Sequence, residues 1–129
     1  MISNLSVPAN TILPHIVYRD VAAASAWLTR AFGFVEHYRY GGEAPDGAQM
    51  HLGNAWVMLR KARAGEMTPA DGGFATQSLT IFVDDVEAHF ETAKSSGATV
   101  VEDPHETMYG EFQYAAVDLD GHHWLFSRH

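Results

Sequence analysis

The chain repeats itself. Residues 15 to 23, HIVYRDVAA, can be laid over residues 80 to 88, TIFVDDVEA, with Ile16 on Ile81, Asp20 on Asp85, Val21 on Val86 and Ala23 on Ala88, an offset of 65 in a chain of 129 residues. A repeat at half the chain length restricts the fold to two copies of one unit. In each copy an apolar strand leads to an Asp placed to cap a helix, and the helix ends near a glycine. Asp20 precedes VAAASAWLTRAFG, in which Val21, Ala24, Leu28 and Ala31 or Phe32 recur at helical spacing before Gly33. Asp85 precedes VEAHFETAKSSG, in which Val86, Phe90 and Ala93 form the stripe before Gly97.

Extended segments follow each helix. They are FVEHYRY, AQMHLG and AWVMLRKA in the first half, and TVVED, FQYAAVDL and HWLFSRH in the second. GGEAPDG, GNA, PHETMYGE and DLDG are the turns between them. Each half therefore reads β-α-β-β-β. The fold class expected is α+β, one domain over residues 1–129, with module 1 over about 11–61, a linker at 62–77 rich in Gly, Ala and Pro, and module 2 over about 78–129. Residues 1–10 read as an arm. A sheet with its helix on one face leaves the other free, and two free faces can curve into a cavity lined by alternate strand residues.

Composition narrows the chemistry. The absence of cysteine excludes disulfides, thiolate metal sites and thiol nucleophiles, so any metal would need His and carboxylate ligands. A formal charge of −8 argues against nucleic acid, whose phosphates are bound by clustered Lys and Arg, and suits cationic small molecules. No basic segment precedes an apolar core at the N-terminus and no apolar run approaches the length of a membrane span, so a soluble cytoplasmic protein with no membrane partner is expected.

These features together resemble the vicinal oxygen chelate superfamily, which contains glyoxalase I, extradiol dioxygenases, fosfomycin-resistance enzymes and bleomycin-resistance binding proteins. The resemblance runs from about Thr11 to His129 and rests on the paired modules, on VYRDVAAASAWLTRAFGF and IFVDDVEAHFETAKSSGA, and on VDLDGHHWLF, which is similar to the family's Asp-Pro-x-Gly turn with Leu119 in place of Pro. It implies the glyoxalase/bleomycin resistance/dioxygenase fold and a homodimer in which modules of two chains complete each cavity. It also implies metal ligands on the first and last strands of the modules. Counting from the capping Asp residues and from Gly121, those positions hold Leu13, Ser78, Leu125 and either Val57 or Met58. None offers imidazole or carboxylate.

The expectation is therefore a protein without metal or cofactor that binds a small organic molecule in an aromatic-lined cavity, as in drug or antibiotic sequestration. Candidate ligand contacts are His15, on the face of Leu13, with Trp56, Arg60, Tyr109 and Tyr114; the face of Trp56 stays open between the two alignments. The alternative is a lyase, isomerase or dioxygenase using a displaced metal site at His15 and His123, or His15 as general base. A third reading is a domain that acts by pairing with another protein. In the last strand, His123, Leu125, Ser127 and His129 alternate with His122, Trp124, Phe126 and Arg128, so His122 and His123 cannot reach one ion together. DLDG lacks the spacing of a calcium loop, and GGEAPDG opens no helix that would bind phosphate.

Overall fold

The computed structural model describes residues 7–8 and 11–128; most of the expected arm, and His129, lie outside the described residues. The first module consists of β1 (His15–Val17), α1 (Val21–Phe32), β2 (Val35–Tyr40), β3 (Gly47–Leu52) and β4 (Ala55–Arg60). The second consists of β5 (Ser78–Phe82), α3 (Val86–Ser95), β6 (Thr99–Glu106), β7 (Phe112–Val117) and β8 (His123–Arg128). The sheets are ordered β1-β4-β3-β2 and β5-β8-β7-β6, with β1 parallel to β4, β5 parallel to β8 and the other pairs antiparallel. This is the α+β pair of βαβββ modules that the repeat predicts.

The caps act as read. The Asp20 carboxylate accepts from the Ala23 amide and that of Asp85 from the Ala88 amide, each at 3.0 Å, satisfying a donor that the first helical turn leaves open. Gly33 closes α1 in the left-handed region at φ 83°, and its amide returns to Thr29.

Two segments differ from the sequence reading. The linker contains a short helix, α2 (Pro69–Gly72), started by Thr68, whose hydroxyl accepts from the Asp71 amide. β6 runs through Pro104 to Glu106 rather than ending at Asp103. It is an edge strand whose register slips between Val100 and Glu102 and again between Glu102 and His105, and a bulged edge tolerates a residue with no amide to donate.

α1 and α3 each cover one face of their own module's sheet and pack on one another, so the core lies on that side of both sheets. Ile16, Ala48, Met50, Val57 and Leu59 fill it from the first sheet, and Ile81, Tyr114, Ala116, Trp124 and Phe126 from the second. Phe32 and Phe34, at the end of α1, meet the Trp124 ring edge-on, locking the modules together through aromatic contacts. Among the described residues neither α1 nor α3 covers the opposite face of either sheet, termed the helix-free face.

Polar bonds fasten the same junction. Asp118, buried in the β7–β8 turn, accepts from the Tyr18 hydroxyl at 2.6 Å and the Trp124 indole at 3.0 Å, and from the amides of Asp120 and His122. Burial, then the Asp118 charge, raises the Tyr18 phenol well above its ordinary value, so it remains a donor. Across the helix interface His89 donates through Nε2 to the Phe32 carbonyl at 2.8 Å, so Nδ1 accepts from the Tyr114 hydroxyl.

Candidate functional site

Residues paired across neighbouring strands share a face, so the register fixes what each sheet presents. His15 pairs with Met58, Met58 with Gln49, and Trp56 with His51. The helix-free face of the first sheet therefore carries His15 and Val17 from β1, Trp56, Met58 and Arg60 from β4, and Gln49 and His51 from β3. In the second sheet Ser78 pairs with His123 and Thr80 with Leu125, which puts Leu125 on the helix-free face. By the same relation Met58, opposite His15, is the twin of Leu125, opposite Thr80. The open choice between Val57 and Met58 resolves to Met58, since Val57 is a core residue. Trp56 belongs to the helix-free face.

An aromatic band crosses the first sheet. The His51 ring stacks on Trp56 with centroids 4.6 Å apart, and His37, at the register shift in β2, meets the same indole edge-on at 5.1 Å. Tyr38 and Tyr40 lie edge to face beside it on β2. The bulge that places His37 here has no sequence signature. His37 is therefore not legible as a neighbour of Trp56, whereas HLGNAW places His51 and Trp56 across one hairpin. Trp56 also borders a crevice of about 380 Å³ between the modules, with Thr11, Ile12 and Pro14 on one side and Leu79 and Thr80 on the other.

At the other end of this face the Arg60 guanidinium grips Glu66 of the linker through two bonds of 2.6 and 2.8 Å, and its Nε donates to His15 Nδ1 at 3.3 Å. The Arg60 bonds, helped by the Arg63 amide, hold the Glu66 carboxyl down at about 2. With Nδ1 accepting, a neutral His15 carries its proton on Nε2. A second crevice of about 370 Å³ opens here between β1, the linker and His122.

Of the five predicted ligand contacts, His15 and Arg60 are in direct contact and Trp56 shares their sheet face. The other two are corrected. Tyr114 faces the helices: β7 pairs it with Phe126, its ring is buried, and its hydroxyl is bound to His89. Tyr109 sits in the β6–β7 turn, 82% exposed, beyond the strand residues that line either free face.

The donor set does not fit a divalent ion at the positions implied by the family resemblance. Leu13, Met58 and Leu125 have no ligating oxygen or nitrogen in their side chains, and Ser78 offers one hydroxyl. His15 belongs to the first sheet and His123 to the second. Among the described residues no group of three His, Asp or Glu side chains is arranged to hold a metal. No described helix is long and apolar enough to cross a membrane.

Comparison with known proteins accords with this geometry. An uncharacterised protein of Mycobacterium bovis is 33% identical over 120 residues, covering 86% of this chain and 78% of its own length. A similar uncharacterised protein of Mycobacterium tuberculosis is 33% identical, covering 86% of this chain and 69% of its own. Among solved structures, TioX from Micromonospora sp. ML1 superposes with a TM-score of 0.77 at 29% identity, covering 93% of this chain and 96% of that one. A glyoxalase/bleomycin resistance protein/dioxygenase family enzyme from Burkholderia phytofirmans PsJN shares the fold at TM-score 0.72 and 22% identity, covering 90% and 95%. Residues 10–126 match the family description itself, and the chain belongs to the Glyoxalase/Bleomycin resistance protein/Dioxygenase superfamily.

Proposed function

We propose that the protein binds a small, planar, cationic organic molecule on the helix-free face of the first sheet, holding it without a metal or cofactor and without breaking a bond. The observation that carries this reading is the composition of that face. Where the resemblance implies ligands the chain has Leu13 and Met58, and beside Met58 this face presents an indole already stacked against an imidazole. Such a band attracts a flat cation through ring stacking and the negative π face, and the net charge of −8 favours the same class of ligand at longer range. Arg60 is no counterweight, because Glu66 neutralises it.

Sequestration of a drug or antibiotic is the activity that such a site suits. A cytoplasmic homodimer whose second chain covers the free sheet faces is part of the proposal. The opposing reading, an enzyme with His15 as base, finds less support, since the nitrogen that would take the proton receives the Arg60 N–H.

The test is metal analysis of protein purified without added metal, alongside ligand binding before and after chelation. Substoichiometric metal and binding indifferent to chelator are expected. Stoichiometric divalent metal, lost together with function in His15→Ala or His123→Ala, would overturn the proposal.

A further inference from the structure

The crevice beneath the linker differs from the aromatic band in both walls and chemistry. β1, the linker and His122 enclose about 370 Å³, and Trp56 does not line it. Glu66, which lines it, is paired through both terminal nitrogens of Arg60 behind it, so this ion pair brings no net charge to attract an ion that would have to leave water to enter.

Its two imidazoles have fixed directions. His15 accepts at Nδ1 from Arg60, which leaves Nε2–H as a donor. His122 must donate from Nε2 to the Val17 carbonyl, 2.7 Å away, because a carbonyl only accepts; Nδ1 is left as an acceptor. A donor and an acceptor, each locked into its tautomer by a neighbour, thus line one small cavity. Phe74 and Met67 stand at its rim, 72% and 64% exposed, apolar surface that a flat ligand would cover.

We propose that this crevice is a binding site for a small neutral cyclic amide, a ring that places a carbonyl beside an N–H. The His15 Nε2–H donates to the carbonyl, the His122 Nδ1 accepts from the N–H, and the ring lies against Phe74 and Met67. The inference is independent of the aromatic-band reading, because the two sites have different reporters.

The experiment is a titration of the full chain, ¹⁵N-labelled at histidine and tryptophan, with 2-pyridone and with 1-methyl-2-pyridone, followed through imidazole resonances and the Trp56 indole signal. The expected result is movement of His15 and His122 but not Trp56 with 2-pyridone, and binding weaker by about tenfold or more for the methylated ring, which has lost its donor. Phe74→Ala, at an exposed position that leaves the fold intact, weakens 2-pyridone severalfold. Unmoved imidazoles at millimolar 2-pyridone, equal affinity for the methylated ring, or indifference to Phe74→Ala would each overturn the proposal. Failure here leaves the Trp56 face untouched, and failure of that face leaves this crevice untouched.

Discussion

Tyr18 and Asp118, one hundred residues apart, are joined by a 2.6 Å hydrogen bond from phenol to buried carboxylate. One belongs to the segment between β1 and α1, the other to the β7–β8 turn, so the bond ties the two modules together. Asp118 also gathers the Trp124 indole and two backbone amides, which makes it the polar centre of the junction.

Removing the phenol oxygen tests that role. Tyr18→Phe keeps the ring in the core and strips one charge-assisted bond, which should cost about 1.5–3 kcal/mol in urea unfolding. Asp118→Asn should cost more, because one amide oxygen cannot serve four donors. A loss within error for both would show that the modules are held by packing alone.

The linker should depend on Gly121. That residue has φ 92°, and a β-carbon there would lie 2.8 Å from the Ala70 amide nitrogen, which itself donates to the Asp120 carbonyl. Gly121→Ala is expected to destabilise by about 1–3 kcal/mol and to loosen α2, detected as faster amide exchange at Ala70.

Acid should act on the junction through His89. Burial lowers the affinity of its imidazole for a proton, with the bond to Phe32 opposing, so the folded value lies below the ordinary 6.5. The unfolded chain therefore binds the proton more readily. The stabilisation is complete above about 6.5 and is lost as pH falls through the folded value. His89→Gln should flatten this part of the stability profile; an unchanged slope in the variant would assign it to another group.

Glu66 reports on the Arg60 grip. Held at about 2, its carboxylate should remain ionised well below the usual 4.5, and any contribution to linker order is lost only as pH falls from 4.5 toward 2. In Arg60→Met the Glu66 titration followed by ¹³C NMR should move back toward 4.5. Persistence at about 2 would mean that the Arg63 amide alone suffices.

The architecture was legible because the repeat places the same capping Asp at equivalent points and because helix and strand periods differ. What pattern could not supply was which face of a strand meets the helix. Trp56 and Val57 are neighbours, and only the pairing of His15 with Met58 separates them. Tyr114 carries the same aromatic signal as Trp56 yet faces inward. The bulge beside His37 and the packing of the linker around Glu66 are tertiary outcomes that a composition rich in Gly and Ala does not encode. The turn at DLDG is legible from its residues, whereas the clamp made by its first Asp depends on the positions of Tyr18 and Trp124.

The central claim concerns the Trp56 face, and its most direct test is calorimetric titration of chelator-treated protein with planar cationic aromatic compounds, 9-aminoacridine among them, repeated on Trp56→Ala. Saturable binding without metal, weakened about tenfold by the substitution, is the predicted result. Binding that appears only when a divalent ion is restored, or that is the same with and without the indole, would contradict it.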